Sequence, residues 1–69
     1  MVEIFKTDVC EAEKSKILAL KLSEYFPESK INFDLDDCDN ILRVEGKNID
    51  CREIIAVLNA KGFLCEVLS

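Results

Sequence analysis

The stretch "KINFDLDDCDNILRVEG", residues 30 to 46, decides how this chain folds. Ile31, Phe33 and Leu35 alternate with Asn32 and Asp34, the period of a strand with one buried face. Leu42 and Val44 alternate with Arg43 in the same way. Between them lies a polar turn of Asp36, Asp37, Cys38, Asp39 and Asn40. Two alternating runs across a short polar connection read as a β-hairpin. Gly46, Lys47 and Asn48 form the next turn.

On the N-terminal side, Val2 and Ile4 alternate with Glu3 and Phe5, which predicts a short strand. Asp8 is placed to cap a following helix, with Glu11 three residues on in a capping-box arrangement. Ile17, Leu18, Leu20, Leu22, Tyr25 and Phe26 recur at mixed helical spacing, so the helix is expected over 10–25, with Pro27 ending it. On the C-terminal side, Asp50 is placed to cap a second helix, with Glu53 at the capping-box position. Ile54, Ile55, Val57 and Leu58 supply its apolar stripe, and Gly62 suits the left-handed residue that closes it. "FLCEVL" reads as a last strand with Phe63, Cys65 and Val67 on one face.

The order is therefore strand, helix, strand, strand, helix, strand. Each outer strand–helix–strand unit needs a right-handed crossover. The compact solution is an α+β, ferredoxin-like βαββαβ sandwich: a four-stranded antiparallel sheet with two helices on one face. One such domain accounts for residues 1–69.

A domain of 69 residues buries roughly 60% of its unfolded surface and gains from a dense core or a partner. Its net charge of −5 argues against a nucleic-acid or anionic-membrane surface. No apolar run approaches the ~20 residues of a membrane span. "MVEIFKTDV" lacks a basic region followed by an apolar core, so a cytoplasmic chain is expected. Four cysteines allow three disulfide connectivities, but a reducing compartment favours free thiols or metal ligands. Histidine is absent, which removes the commonest general base and the commonest metal ligand. With no phosphate loop and no nucleophile beside an identifiable base, no enzyme activity is expected.

The chain resembles the heavy-metal-associated domain family of copper chaperones and copper-pump N-terminal domains. "INFDL…ILRVEG…DCREIIAVLNAKGFLCEV" is similar to that family's "VxVDL…xVTVEG…DPEEIIxALxxAGYxAxL" pattern, with Asp50, Ile54, Leu58, Gly62 and Phe63 in place. The resemblance implies the ferredoxin-like fold. It also implies a first loop reading "GMxCxxC", whose two thiolates take Cu(I) or Zn(II). Here the loop reads "TDVCEAE". If Cys10 stands at the first thiol position, Glu13 stands at the second. If Val9 stands at the buried Met position, the thiol positions fall on Glu11 and Lys14. The pair is broken in both registers.

Three functions remain. The leading expectation is a non-enzymatic domain that works through protein contacts. Its sheet face away from the helices is expected to carry Phe5, Ile41, Leu64 and Leu68 among Glu3, Asp34, Arg43 and Glu66, a surface for a partner or a weak homodimer. The alternative is a soft-metal site, Cu(I) or Zn(II), built from Cys10 with Cys38 where the first loop and the hairpin turn meet. The third is a thiol redox sensor through Cys10, whose place at a helix start favours the thiolate while Glu11 and Glu13 oppose it. "DLDDCDN" lacks the glycine and distal glutamate of a calcium loop and reads as a solvated turn. Cys65 reads as a small core hydrophobe, and Cys51, at the start of the second helix, has no assigned role.

Overall fold

The computed structural model describes residues 1–36 and 39–68. Its elements are β1 (Val2–Thr7), α1 (Ala12–Tyr25), β2 (Lys30–Asp34), β3 (Ile41–Glu45), α2 (Cys51–Ala60) and β4 (Cys65–Val67). The strands form one antiparallel sheet in the order β2-β3-β1-β4. This is the expected α+β, ferredoxin-like βαββαβ arrangement, with α1 packed on β2, α2 on β4, and the helices against each other.

The core lies between the sheet and the helices. Phe5, Leu42 and Val44 from the sheet meet Leu18 and Leu22 of α1, Ile54 and Leu58 of α2, and Val9 of the first loop. Burying each such side chain is worth roughly 1.5–3 kcal/mol. Phe26, Ile31, Phe33, Phe63, Cys65 and Val67 pack around this cluster, half-buried.

Register explains one correction. Phe5 lies opposite Leu42 on β3 and Val67 on β4, both of which face the helices. Cross-strand neighbours share a face, so Phe5 belongs to the core and has no exposed surface. Glu3, two residues earlier, goes with it to the helix side. Val2, Ile4 and Lys6 take the open side instead.

The helix ends follow local chemistry in one case and tertiary contacts in the other. Asp50 caps α2: its Oδ1 accepts from the amides of Arg52 (3.0 Å) and Glu53 (3.4 Å). Gly62 closes α2 at φ +90°, its amide donating to the Asn59 carbonyl while the Phe63 amide donates to that of Leu58, each at 3.0 Å. α1 starts two residues later than expected, with Glu11 at the cap position and no side-chain cap. Asp8 does not cap it. Its Oδ1 accepts instead from the amide of Leu64 at 2.8 Å, tying the first loop to the segment before β4. α1 ends at Tyr25, and the Phe26 amide still reaches the Leu22 carbonyl before Pro27 stops the helix.

Candidate functional site: the loop end and the open sheet face

β1 and β2 both pair antiparallel with β3, so their C-terminal ends lie together. The first loop, the return of the hairpin and the segment after Gly62 share that end. Thr7 joins them. Its hydroxyl donates to the Asn40 carbonyl at 2.6 Å and accepts from the Val9 amide at 3.2 Å. Its own amide donates to the Asp39 carbonyl at 3.2 Å. Asn40 turns into β3 with φ +47°, a left-handed conformation that asparagine tolerates. Thr7 is buried, and the bond from the Val9 amide is buried with it, while the bond to Asn40 is part-buried. Lys6 adds a longer ion pair to Asp39, at 3.8 Å.

Cys10 stands exposed in this loop as a free thiol. Its intended companion, Cys38, lies outside the described residues, as does Asp37 of the same turn. Val9, directly before Cys10, is fully buried in the core. Past Cys10, Glu11 and Lys14 form an ion pair at 3.1 Å on the first turn of α1. Among the described residues, no three Cys, Asp or Glu side chains are grouped to hold an ion.

The other two cysteines face the core. Burial pushes the Cys65 thiol up to about 11, with Cys51 and then Glu66 adding to it. Cys51 is raised in the same direction by burial first and then by the neighbouring Glu3 carboxylate. Both remain protonated thiols at neutral pH. Cys65 therefore packs as the small hydrophobe expected of it. The link between Cys51 and Glu3 follows from the inward turn of β1 and was not visible in spacing.

The open sheet face carries Val2, Ile4, Ile41, Leu64 and Leu68, interspersed with Lys6, Arg43 and Glu66. Leu64 is 71% exposed and Leu68 39%. The Leu68 amide donates to the Ile4 carbonyl at 2.8 Å, which sets these two apolar side chains beside each other. Of the four residues expected there, Ile41, Leu64 and Leu68 are on this face, and Ile4 replaces Phe5. A mostly apolar groove also runs between the helices, lined by Tyr25, Phe26, Ala56, Val57 and Ala60 together with Glu53 and Lys61. No helix among the described residues is long and apolar enough to cross a membrane.

Comparison of the chain with family models, curated proteins and solved structures gives no significant match.

Two outcomes follow. Thr7→Val removes both hydroxyl bonds and strands the Asn40 carbonyl and the Val9 amide. It should cost ~1–3 kcal/mol in urea unfolding, whereas Thr7→Ser should cost under ~1 kcal/mol. Equal stability of the wild type and Thr7→Val would contradict the role of Thr7. For Cys65, the folded thiol titrates above its ordinary value of 9.0, so its contribution is intact below pH 9 and is lost as pH rises towards 11. Unfolding at pH 8 and pH 10.5 should show a fall in stability that is smaller in Cys65→Ala. An identical fall in both would remove the thiol as its cause.

Proposed function

We propose that the chain is a non-catalytic protein-interaction domain that docks a partner on its open sheet face. The carrying observation is the exposure of Leu64 and of Leu68, the latter beside Ile4, on a sheet whose helices both cover the opposite side. Apolar side chains left in contact with water on one face are a common mark of a docking surface. Lys6, Arg43 and Glu66 lie between these apolar side chains, which suits a partner that presents charged and apolar groups together.

The resemblance to heavy-metal-associated domains fits this reading through its departure from the family loop. Burial of Val9 supports the register in which it takes the place of the family's buried Met. The two thiol positions are then Glu11 and Lys14, and the ion pair between them stands where a metal would be held. Free thiols at Cys10, Cys51 and Cys65 are compatible with a reducing, cytoplasmic setting.

A second reading keeps a soft metal, Cu(I) or Zn(II), on Cys10 with Cys38. It draws on the bond from Thr7 to Asp39, the residue after Cys38, which brings the hairpin's return to the first loop. Soft thiolates would suit either ion.

A photo-reactive residue at position 64 tests the leading reading. It should give a discrete adduct with a protein other than this chain, absent when the same residue replaces the exposed Glu24 on α1. Equal labelling from the two positions, or none from position 64, would contradict docking at the open face.

A further inference from the structure

Among the described residues β2 is an edge of the sheet, with β3 on one side and no strand on the other. Edge strands present unpaired amides and carbonyls, and proteins usually blunt them by shortness, charged side chains, proline or a bulge; on β2 the charged side chains are Lys30 and Asp34. The opposite edge, β4, is short at three residues. β2 has five, contains no proline, and pairs residue for residue with β3 from Lys30 to Asp34. It is a regular template for another strand.

The sequence of that template is its own complement. In an antiparallel pairing about Asn32, Lys30 falls opposite Asp34 of the second strand, Ile31 opposite Phe33, and Asn32 opposite itself. We propose that two copies of this chain pair through their β2 edges about a two-fold axis at Asn32, forming a continuous eight-stranded sheet. The interface is isologous, as most closed dimers are. This proposal rests on the strand edge and is independent of docking at the open face.

Charge favours this occupant. Lys30 and Asp34 both lie exposed on the open side of the sheet. Within one chain Lys30 lies opposite Glu45. Across the two-fold it gains the partner's Asp34, so the row reads Glu45, Lys30, the partner's Asp34, with signs alternating. The same row recurs on the other side of the axis. Opposite charges directly across a ladder stabilise it by roughly 0.2–1 kcal/mol each, and like charges destabilise it. Asp34 is also held in place, because its Oδ1 accepts from the Asp36 amide at 3.2 Å.

The helix side offers matching apolar contacts. Ile31 and Phe33 are half-buried at the rim of the core, and each would be covered by the other type from the second copy. α1 lies over β2. Tyr25 lines the groove towards α2, and at 100° per residue Ala19 and Ser23 fall on the opposite flank of α1, above the free edge. These short side chains share their flank with the exposed Lys16. Leu20, beside them and 67% exposed, gives a second copy an apolar contact.

Sedimentation equilibrium on the intact, reduced chain, from about 1 μM to about 1 mM, tests the pairing. The wild type should pass reversibly from monomer to dimer. Lys30→Glu and Asp34→Lys each set like charges across the axis twice, and each should weaken dimerisation by ~10-fold or more. The double variant Lys30→Glu/Asp34→Lys restores opposite charges across the axis, while its carboxylate at position 30 faces Glu45 of its own chain, and it should dimerise at least about 3-fold more tightly than either single variant. Leu64→Lys should leave it unchanged. Circular dichroism verifies that each variant is folded, as expected for exposed positions. A wild type that stays monomeric throughout would overturn the proposal. So would single variants that dimerise like the wild type, a double variant no tighter than the single variants, or a dimer abolished by Leu64→Lys alone.

Discussion

The hydroxyl of Thr7 holds the loop end of this molecule together. It is buried at the last residue of a central strand, where a polar group without partners would cost more than a hydrogen bond returns. It meets that constraint by donating to Asn40 and accepting from Val9. The first bond fixes the hairpin's return against β1. The second turns the chain so that Val9 enters the core and Cys10 emerges. Asp8 then reaches across to the Leu64 amide and binds the last strand to the same end. Three segments distant in sequence are locked by polar contacts that a metal site at this end would have to respect.

Much of the fold is legible in residue order. Alternation in "KINFDL" and "ILRVEG" marks the hairpin, because one sheet face is buried and the other is not. Asp50 and Gly62 mark the ends of α2 because their work is local, an oxygen offered to nearby amides and a left-handed turn. β1 is harder. Val2, Ile4 and Phe5 put apolar residues on both faces, so period alone does not say which face is inward. Pairing with Leu42 and Val67 decides it, and pairing is a tertiary fact. α1 is harder for a similar reason. Leu18 and Leu22 face the core while Ile17, Leu20 and Tyr25 face outward, so its apolar residues do not form one stripe.

The candidate site divides along the same line. Ile41, Leu64 and Leu68 were accessible to alternation because each sits on a strand, or beside one, whose other face is plainly apolar. Asp8 was not, since its pattern with Glu11 matches a capping box and nothing local reveals the competing amide of Leu64. Thr7 left no signal beyond its type, as a threonine at a strand end is ordinary. The burial of Val9 likewise has no local signal, since a lone valine in a polar loop does not declare which way it turns.

Hydrogen bonds and an ion pair tie this end of the sandwich, and under the proposed function the chain acts through surface contacts and not by carrying a soft metal. The most direct measurement is a titration of the fully reduced chain with Cu(I), and separately Zn(II), against a competing chelator, beside Cys10→Ser and Cys38→Ser. No one-to-one binding above the level of the two variants is expected. Tight one-to-one binding that is lost in Cys10→Ser would contradict the proposed function and return the loop end to metal chemistry.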